Sequence, residues 1–158
     1  MKLYFLRHAE ALDGADDAAR PLTSHGEKQA REVGRFLERA GIEFDAVYCS
    51  PLVRAKQTAE GVLKICGSAD LQIAEAFLNE TSQAQFDKWL KEIPEVKHAC
   101  LVGHAPSLGE RICQLLAMTN PEALKLPKGG LACLETEDRH SAVLKFFVTP
   151  RLLGVKTS

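Results

Sequence analysis

The chain reads as an α/β protein: a three-layer sandwich with a mostly parallel central sheet, helices on both faces and an antiparallel hairpin at its C-terminal edge. Three observations predict this. Short apolar runs at residues 3–6, 46–49 and 99–102 lack polar alternation, as strands covered on both faces do. Segments with apolar residues at helical spacing stand between those runs, which is the βαβ pattern of a parallel sheet. Beyond residue 118 the helical segments stop, and two apolar runs follow each other directly.

The first run, Leu3-Tyr4-Phe5-Leu6, ends where Arg7 and His8 begin. The loop from 10 to 23 contains Asp13, Gly14, Asp16, Asp17 and Arg20-Pro21, has no period, and reads as a mobile segment over a crevice. Ser24 to Glu27 has the capping-box form, Ala30, Val33 and Leu37 recur at helical spacing, and Gly41 supplies the stop. The second strand runs over 45–49, after which Ser50-Pro51 reads as an N-cap followed by proline at the first helical position. Ala55, Ala59, Val62 and Cys66 then mark one helix face, with Arg54 in its first turn and Gly67 at its end.

A short strand is expected at 71–74, followed by Phe77-Leu78-Asn79-Glu80 and a loop. Phe86, Trp89, Leu90 and Ile93 mark a helix stopped by Pro94. The strand at 99–102 terminates in Gly103-His104. Pro106 falls where the next helix begins, with Leu108, Ile112, Leu115 and Leu116 toward the core. Gly129-Gly130 breaks into a strand over 131–134, and a last strand over 143–148 pairs with it.

Length and charge narrow the function. One domain over 1–158 buries roughly 70% of the surface its unfolded chain exposes, enough to fold without disulfides or a metal. Twenty Lys and Arg stand against 21 Asp and Glu, so neither a nucleic-acid footprint nor an acidic tail is expected, and any anion site must be local. No apolar run exceeds four residues, which predicts neither a membrane span nor a signal peptide and points to the cytoplasm. The five cysteines form no C-x-x-C pair and read as small buried thiols.

The chemistry gathers at one edge of the expected sheet. Arg7 and His8 follow the first strand, Arg54 opens the helix after the second, and His104 ends the strand at 99–102. If those strands are parallel, all four side chains project from the same edge. Stability alone gives no reason to collect four potential cations, because like charges repel. A dianionic phosphoryl group reverses that penalty, since arginine offers it bidentate, charge-assisted hydrogen bonds. Neutral imidazole then serves as the nucleophile, one ring nitrogen fixed as donor and the other free to attack. His8, on a rigid strand end, suits that role. His104, beside a helix N-terminus, suits donation to phosphoryl oxygens. HExxH and HxH spacings are absent and two arginines oppose a cation, so no metal is expected.

The run Leu-Arg-His-Ala-Glu at 6–10 resembles the signature of the histidine phosphatase (phosphoglycerate-mutase-like) superfamily. Three further pieces match in order: Leu22-Thr23…Gly26…Gln29-Ala30, Ser50-Pro51…Arg54-Ala55…Gln57-Thr58, and Val102-Gly103-His104. The resemblance implies that His8 is the phosphorylated nucleophile, that Arg7, Arg54, His104 and Ala105 bind phosphate, and that no cofactor takes part. Glu80 resembles the position where mutase-type members carry a proton donor, although Thr81-Ser82-Gln83 replaces the Gly-containing aromatic run that usually follows it. Glu10 belongs to the signature as a hydrogen-bonding partner.

The chain has little spare length between Leu71 and Ala99 for a segment roofing the pocket, and is most similar to the small SixA-type phosphohistidine phosphatases. That similarity implies a monomer acting on a phosphorylated protein, such as a histidine phosphotransfer domain. The alternatives are a small-molecule phosphomonoesterase of the same superfamily and a non-catalytic phosphate-binding module. A cysteine phosphatase is disfavoured: four residues, not the required five, separate Cys49 from Arg54.

Overall fold

A computed structural model describes residues 1–67 and 69–156 of the chain. Ten regular elements follow one another: β1 (Lys2–Arg7), α1 (Ser24–Arg39), β2 (Ala46–Cys49), α2 (Val53–Cys66), β3 (Leu71–Ile73), α3 (Gln83–Glu92), β4 (His98–Gly103), α4 (Ser107–Leu115), β5 (Leu131–Glu135) and β6 (Val143–Val148). Short 3₁₀ turns add Asp17–Ala19 and Glu75–Phe77.

The strands form one sheet in the order β3-β2-β4-β1-β5-β6. β1 pairs parallel with β4, and β2 pairs parallel with both β4 and β3. The antiparallel C-terminal hairpin attaches through β5 to β1, leaving β6 at the edge.

Strand composition follows from what covers each face. Leu3 and Phe5 of β1 pack with α3 and α4 through Phe86, Leu90, Leu108 and Ile112. Tyr4 and Leu6 point the other way, onto Val33 and Leu37 of α1 and Ala55, Ala59 and Val62 of α2. Successive side chains of a strand point to opposite faces, so a strand covered on both must be apolar throughout. Each such Leu or Phe contributes about 1.5–3 kcal/mol by leaving water.

Local signals place the helix ends with small shifts. α1 is capped by Thr23, whose side chain accepts from the Gly26 amide, and not by Ser24 as its capping-box pattern predicts. The expected box fails because Gly26, three positions after the true cap, has no side chain to reach back. The C-terminus is a Schellman motif: Gly41, at φ 67°, donates to Glu38, and Ile42 donates to Leu37. α2 begins at Val53 with no side-chain cap, so Ser50 is not the N-cap expected of it. Pro106 lies one residue before α4 rather than in its first position.

The register positions the site. Arg7 of β1 lies opposite Gly103 of β4, and Cys49 of β2 lies opposite Val102. His8, His104 and Ser50 therefore leave the sheet at one edge and one level, with the His8 amide donating to Gly103 O (2.9 Å) and the Ser50 amide to Val102 O (3.0 Å). β1 continues into α1 on one face, whereas its neighbour β4 continues into α4 on the other. Connections that diverge between adjacent parallel strands open a crevice at their carboxyl ends, the usual ligand position in such sheets.

Candidate active site

His8 and His104 face each other across that crevice, ring centroids 5.1 Å apart. Both are buried, at 7% and 2% exposure, and so is Arg54 at 7%. Arg7 is half-buried and donates through Nη1 to Leu126 O at 2.9 Å. Arg54 donates to Asp17 O at 2.8 Å and pairs with the Asp17 carboxylate at 3.3 Å. The four side chains that the sequence places at one sheet edge thus do belong to one locality.

The loop carrying His8 is held by side chains from two helices. His8 Nδ1 lies 2.7 Å from Ala9 O. The Ala9 amide donates to Thr58 Oγ1 (2.9 Å), which itself donates to Arg54 O (2.7 Å), so one hydroxyl ties the His8 loop to the Arg54 turn. The Glu10 amide donates to Gln29 Oε1 (2.8 Å) and the Leu22 amide to Gln57 Oε1 (2.7 Å). Thr23 Oγ1 donates to the Glu10 carboxylate at 2.9 Å. The resembling residues beyond the four cations therefore orient the loop: they bond its backbone.

Ser50 takes a place the sequence reading missed. It is fully buried, and its hydroxyl lies 2.7 Å from His104 Nε2 while accepting from the Leu52 amide at 3.1 Å. Its only sequence signal is its place in the Ser50-Pro51…Arg54 pattern. Asp17, in the loop read as a mobile segment, is a second addition, and nothing local in the sequence announces its pairing with Arg54.

Burial and mutual charge set the protonation. Loss of water pushes His8 down to about 3, helped by His104, Arg54 and Arg7 and opposed by the Ala9 carbonyl. His104 falls to about 4, first through burial and then through Arg54. Burial also lowers Arg7 from its ordinary value. Both imidazoles are neutral near pH 7. Arg7 Nε, Arg54 Nε and His104 Nδ1 are buried without a hydrogen-bond partner among the described residues. A buried unpaired donor costs about 1–3 kcal/mol, so their gathering at one place marks a site built for an acceptor-rich anion.

Of the two remaining expected residues, Ala105 borders this cluster, sharing a cleft with Arg7, and Glu80 stands apart from it. Ala105 follows His104 ahead of α4, half-buried, its carbonyl accepting from Asn79 Nδ2 at 2.8 Å. Glu80 is exposed in the turn before α3, and among the described residues no hydrogen bond or ion pair joins it to Arg7, His8, Arg54 or His104. Its neighbour Asn79, which also accepts from the Ser107 amide, ties that turn to the His104 loop. Among the described residues no group of three His, Cys, Asp or Glu side chains is arranged to hold a metal ion. Cys49 lies in the apolar core, its thiol pushed up to about 11 by burial, which disfavours a thiolate nucleophile.

A family model described as the histidine phosphatase superfamily (branch 1) matches residues 3–97. An uncharacterised protein of Picosynechococcus sp. is 36% identical over 146 residues, covering 86% of each chain. The phosphohistidine phosphatase SixA of Escherichia coli is 31% identical over 120 residues, covering 66% of this chain and 71% of its own length. The solved structure of the protein histidine phosphatase SixA complexed with tungstate superposes with a TM-score of 0.89 at 22% identity, over 97% of this chain and 99% of that one, a likeness of fold. By its matched sequence, with a fold that agrees, the chain belongs to the histidine phosphatase superfamily, branch 1.

Proposed function

We propose that this chain hydrolyses phosphohistidine on a phosphorylated protein, carrying the phosphoryl group transiently on His8. One observation carries the reading: His8 Nδ1 sits 2.7 Å from a carbonyl oxygen. A carbonyl only accepts, so Nδ1 holds the ring proton and Nε2 keeps its lone pair. A neutral imidazole with a fixed tautomer, beside two guanidiniums, is a nucleophile prepared for a phosphoryl group.

In the first step His8 Nε2 forms a bond to phosphorus while the bond from phosphorus to the substrate's imidazole nitrogen breaks. Arg7 and Arg54 neutralise the equatorial oxygens. Ser50 Oγ accepts from Leu52 and directs its own proton to His104 Nε2, which leaves the His104 proton on Nδ1 for a phosphoryl oxygen. The Ala105 amide, ahead of α4, adds a further donor. In the second step water attacks phosphorus, the His8–phosphorus bond breaks, and inorganic phosphate leaves with His8 neutral again. These steps use the chain's own groups and water.

The substrate class is supported by the leaving group. An imidazole protonated at its far nitrogen departs neutral, so it requires less of a general acid than an alkoxide does. An exposed Glu80 outside the cluster suits that lower demand. Between β3 and β4 stand only one 3₁₀ turn and α3, so this connection adds no further regular element over the crevice. The relative SixA of Escherichia coli bears the same activity in its name.

The decisive experiment quenches turnover of a labelled, phosphorylated histidine phosphotransfer domain and maps the protein-bound label. Acid-labile label on His8, with higher kcat/KM for the domain than for phosphate esters, supports the proposal. Preference for small esters moves the assignment to a phosphomonoesterase, and phosphate binding without turnover makes the chain a binding module.

A further inference from the structure

A second cleft, of about 630 Å³, adjoins the candidate site and has Arg7 in its wall. His25, Lys128, Arg151 and Lys156 also line it, and among the described residues Glu10 supplies the one carboxylate of the lining. Twenty Lys and Arg against 21 Asp and Glu make the chain nearly neutral, so these cations are gathered rather than representative. Lys128, Arg151 and Lys156 are exposed, and among the described residues none forms an ion pair. Arg20, Arg35, Lys88 and Lys145 each face a carboxylate. The Glu10 carboxylate accepts from Thr23, within its own loop.

The cleft is a built surface. Lys128 comes two residues after Leu126, whose carbonyl holds Arg7, and just before Gly129, whose amide donates to Arg7 O and His8 O. Arg151 and Lys156 stand on a turn closed by bonds from Leu153 and Val155 to Pro150 and anchored by Val155, 2% exposed. Cations on a fixed frame, without an ion pair among the described residues and continuous with Arg7, raise the local concentration of an anionic partner and speed its encounter.

We infer that this cleft docks the acidic surface that flanks the phosphohistidine of the phosphorylated protein. The inference rests on the proposed function and names the partner's recognised face. A phosphorylated residue held between His8 and Arg7 brings its neighbouring carboxylates over Lys128, Arg151 and Lys156. A small phosphoramidate ends at Arg7 and gains nothing from them.

The test is the double variant Arg151→Glu/Lys156→Glu, assayed on phosphoramidate and on a phosphorylated histidine phosphotransfer domain with acidic residues near its histidine. The expected result is a kcat/KM for the domain about tenfold lower or more at low ionic strength, a weaker salt dependence than the parent protein shows, and unchanged phosphoramidate turnover. Equal rates on the domain for parent and variant overturn the inference, and so does a matched loss on both substrates. A parent protein that hydrolyses esters and leaves the domain untouched overturns the underlying function instead.

Discussion

Arg54 meets Asp17 through both its backbone carbonyl and its carboxylate, at 2.8 and 3.3 Å. Arg20 and then Arg54 hold the Asp17 carboxyl below its ordinary value. The carbonyl orients the guanidinium, whereas the exposed carboxylate places a negative charge beside the group proposed to hold a phosphoryl oxygen. Asp17→Asn keeps the first and removes the second. Inorganic phosphate is expected to inhibit this variant about two- to fivefold more tightly, the range of an exposed ion pair. Weaker inhibition in a titration shows instead that the carboxylate positions Arg54.

Removal of reacting groups has graded consequences. His8→Asn is expected to abolish turnover, while Arg7→Ala or Arg54→Ala lowers kcat/KM by about 10²–10³-fold, on the scale of a lost oxyanion donor. Steady-state kinetics on phosphoramidate checks this without the docking surface. Residual His8→Asn turnover at a tenth of the parent rate excludes His8 as the covalent carrier.

Both imidazoles have folded-state pKa values below the ordinary 6.5, about 3 for His8 and about 4 for His104. The unfolded chain therefore takes up protons first as pH falls. Stability is unaffected by these groups above pH 6.5 and declines from there toward the folded values, by about 1.4 kcal/mol per pH unit for each histidine. Urea unfolding between pH 6 and 4 is expected to show a slope shallower by that amount in His8→Asn.

Gly26 supports the His8 loop by having no side chain. A Cβ there lies 2.0 Å from Glu10 O. That carbonyl accepts from the Thr23 amide, and the Glu10 amide is held by Gln29, so the backbone cannot yield freely. Helix propensity alone favours Ala by about 1 kcal/mol. The contact reverses the sign: Gly26→Ala is expected to destabilise by about 1–3 kcal/mol and to lower turnover with it. Thermal unfolding with parallel kinetics reads both; a raised Tm refutes the contact argument.

Local pattern by itself determined the strands, the helices, the parallel sense of the first part of the sheet and the edge at which Arg7, His8, Arg54 and His104 emerge. Those signals are short-range: apolar runs, helical spacing, and the left-handed turn at Gly41. Only the tertiary structure decided the strand order β3-β2-β4-β1-β5-β6, the pairing of Ser50 with His104 and of Asp17 with Arg54, and the exposure of Glu80. The physical reason is distance along the chain. Ser50 and His104 are 54 residues apart, Asp17 and Arg54 37 apart, and a hydrogen bond across such a span leaves no periodicity in either segment. Ser50 illustrates the ambiguity: a serine before a proline favours a helix start, and that propensity gave way when the register of β2 on β4 brought its hydroxyl to an imidazole.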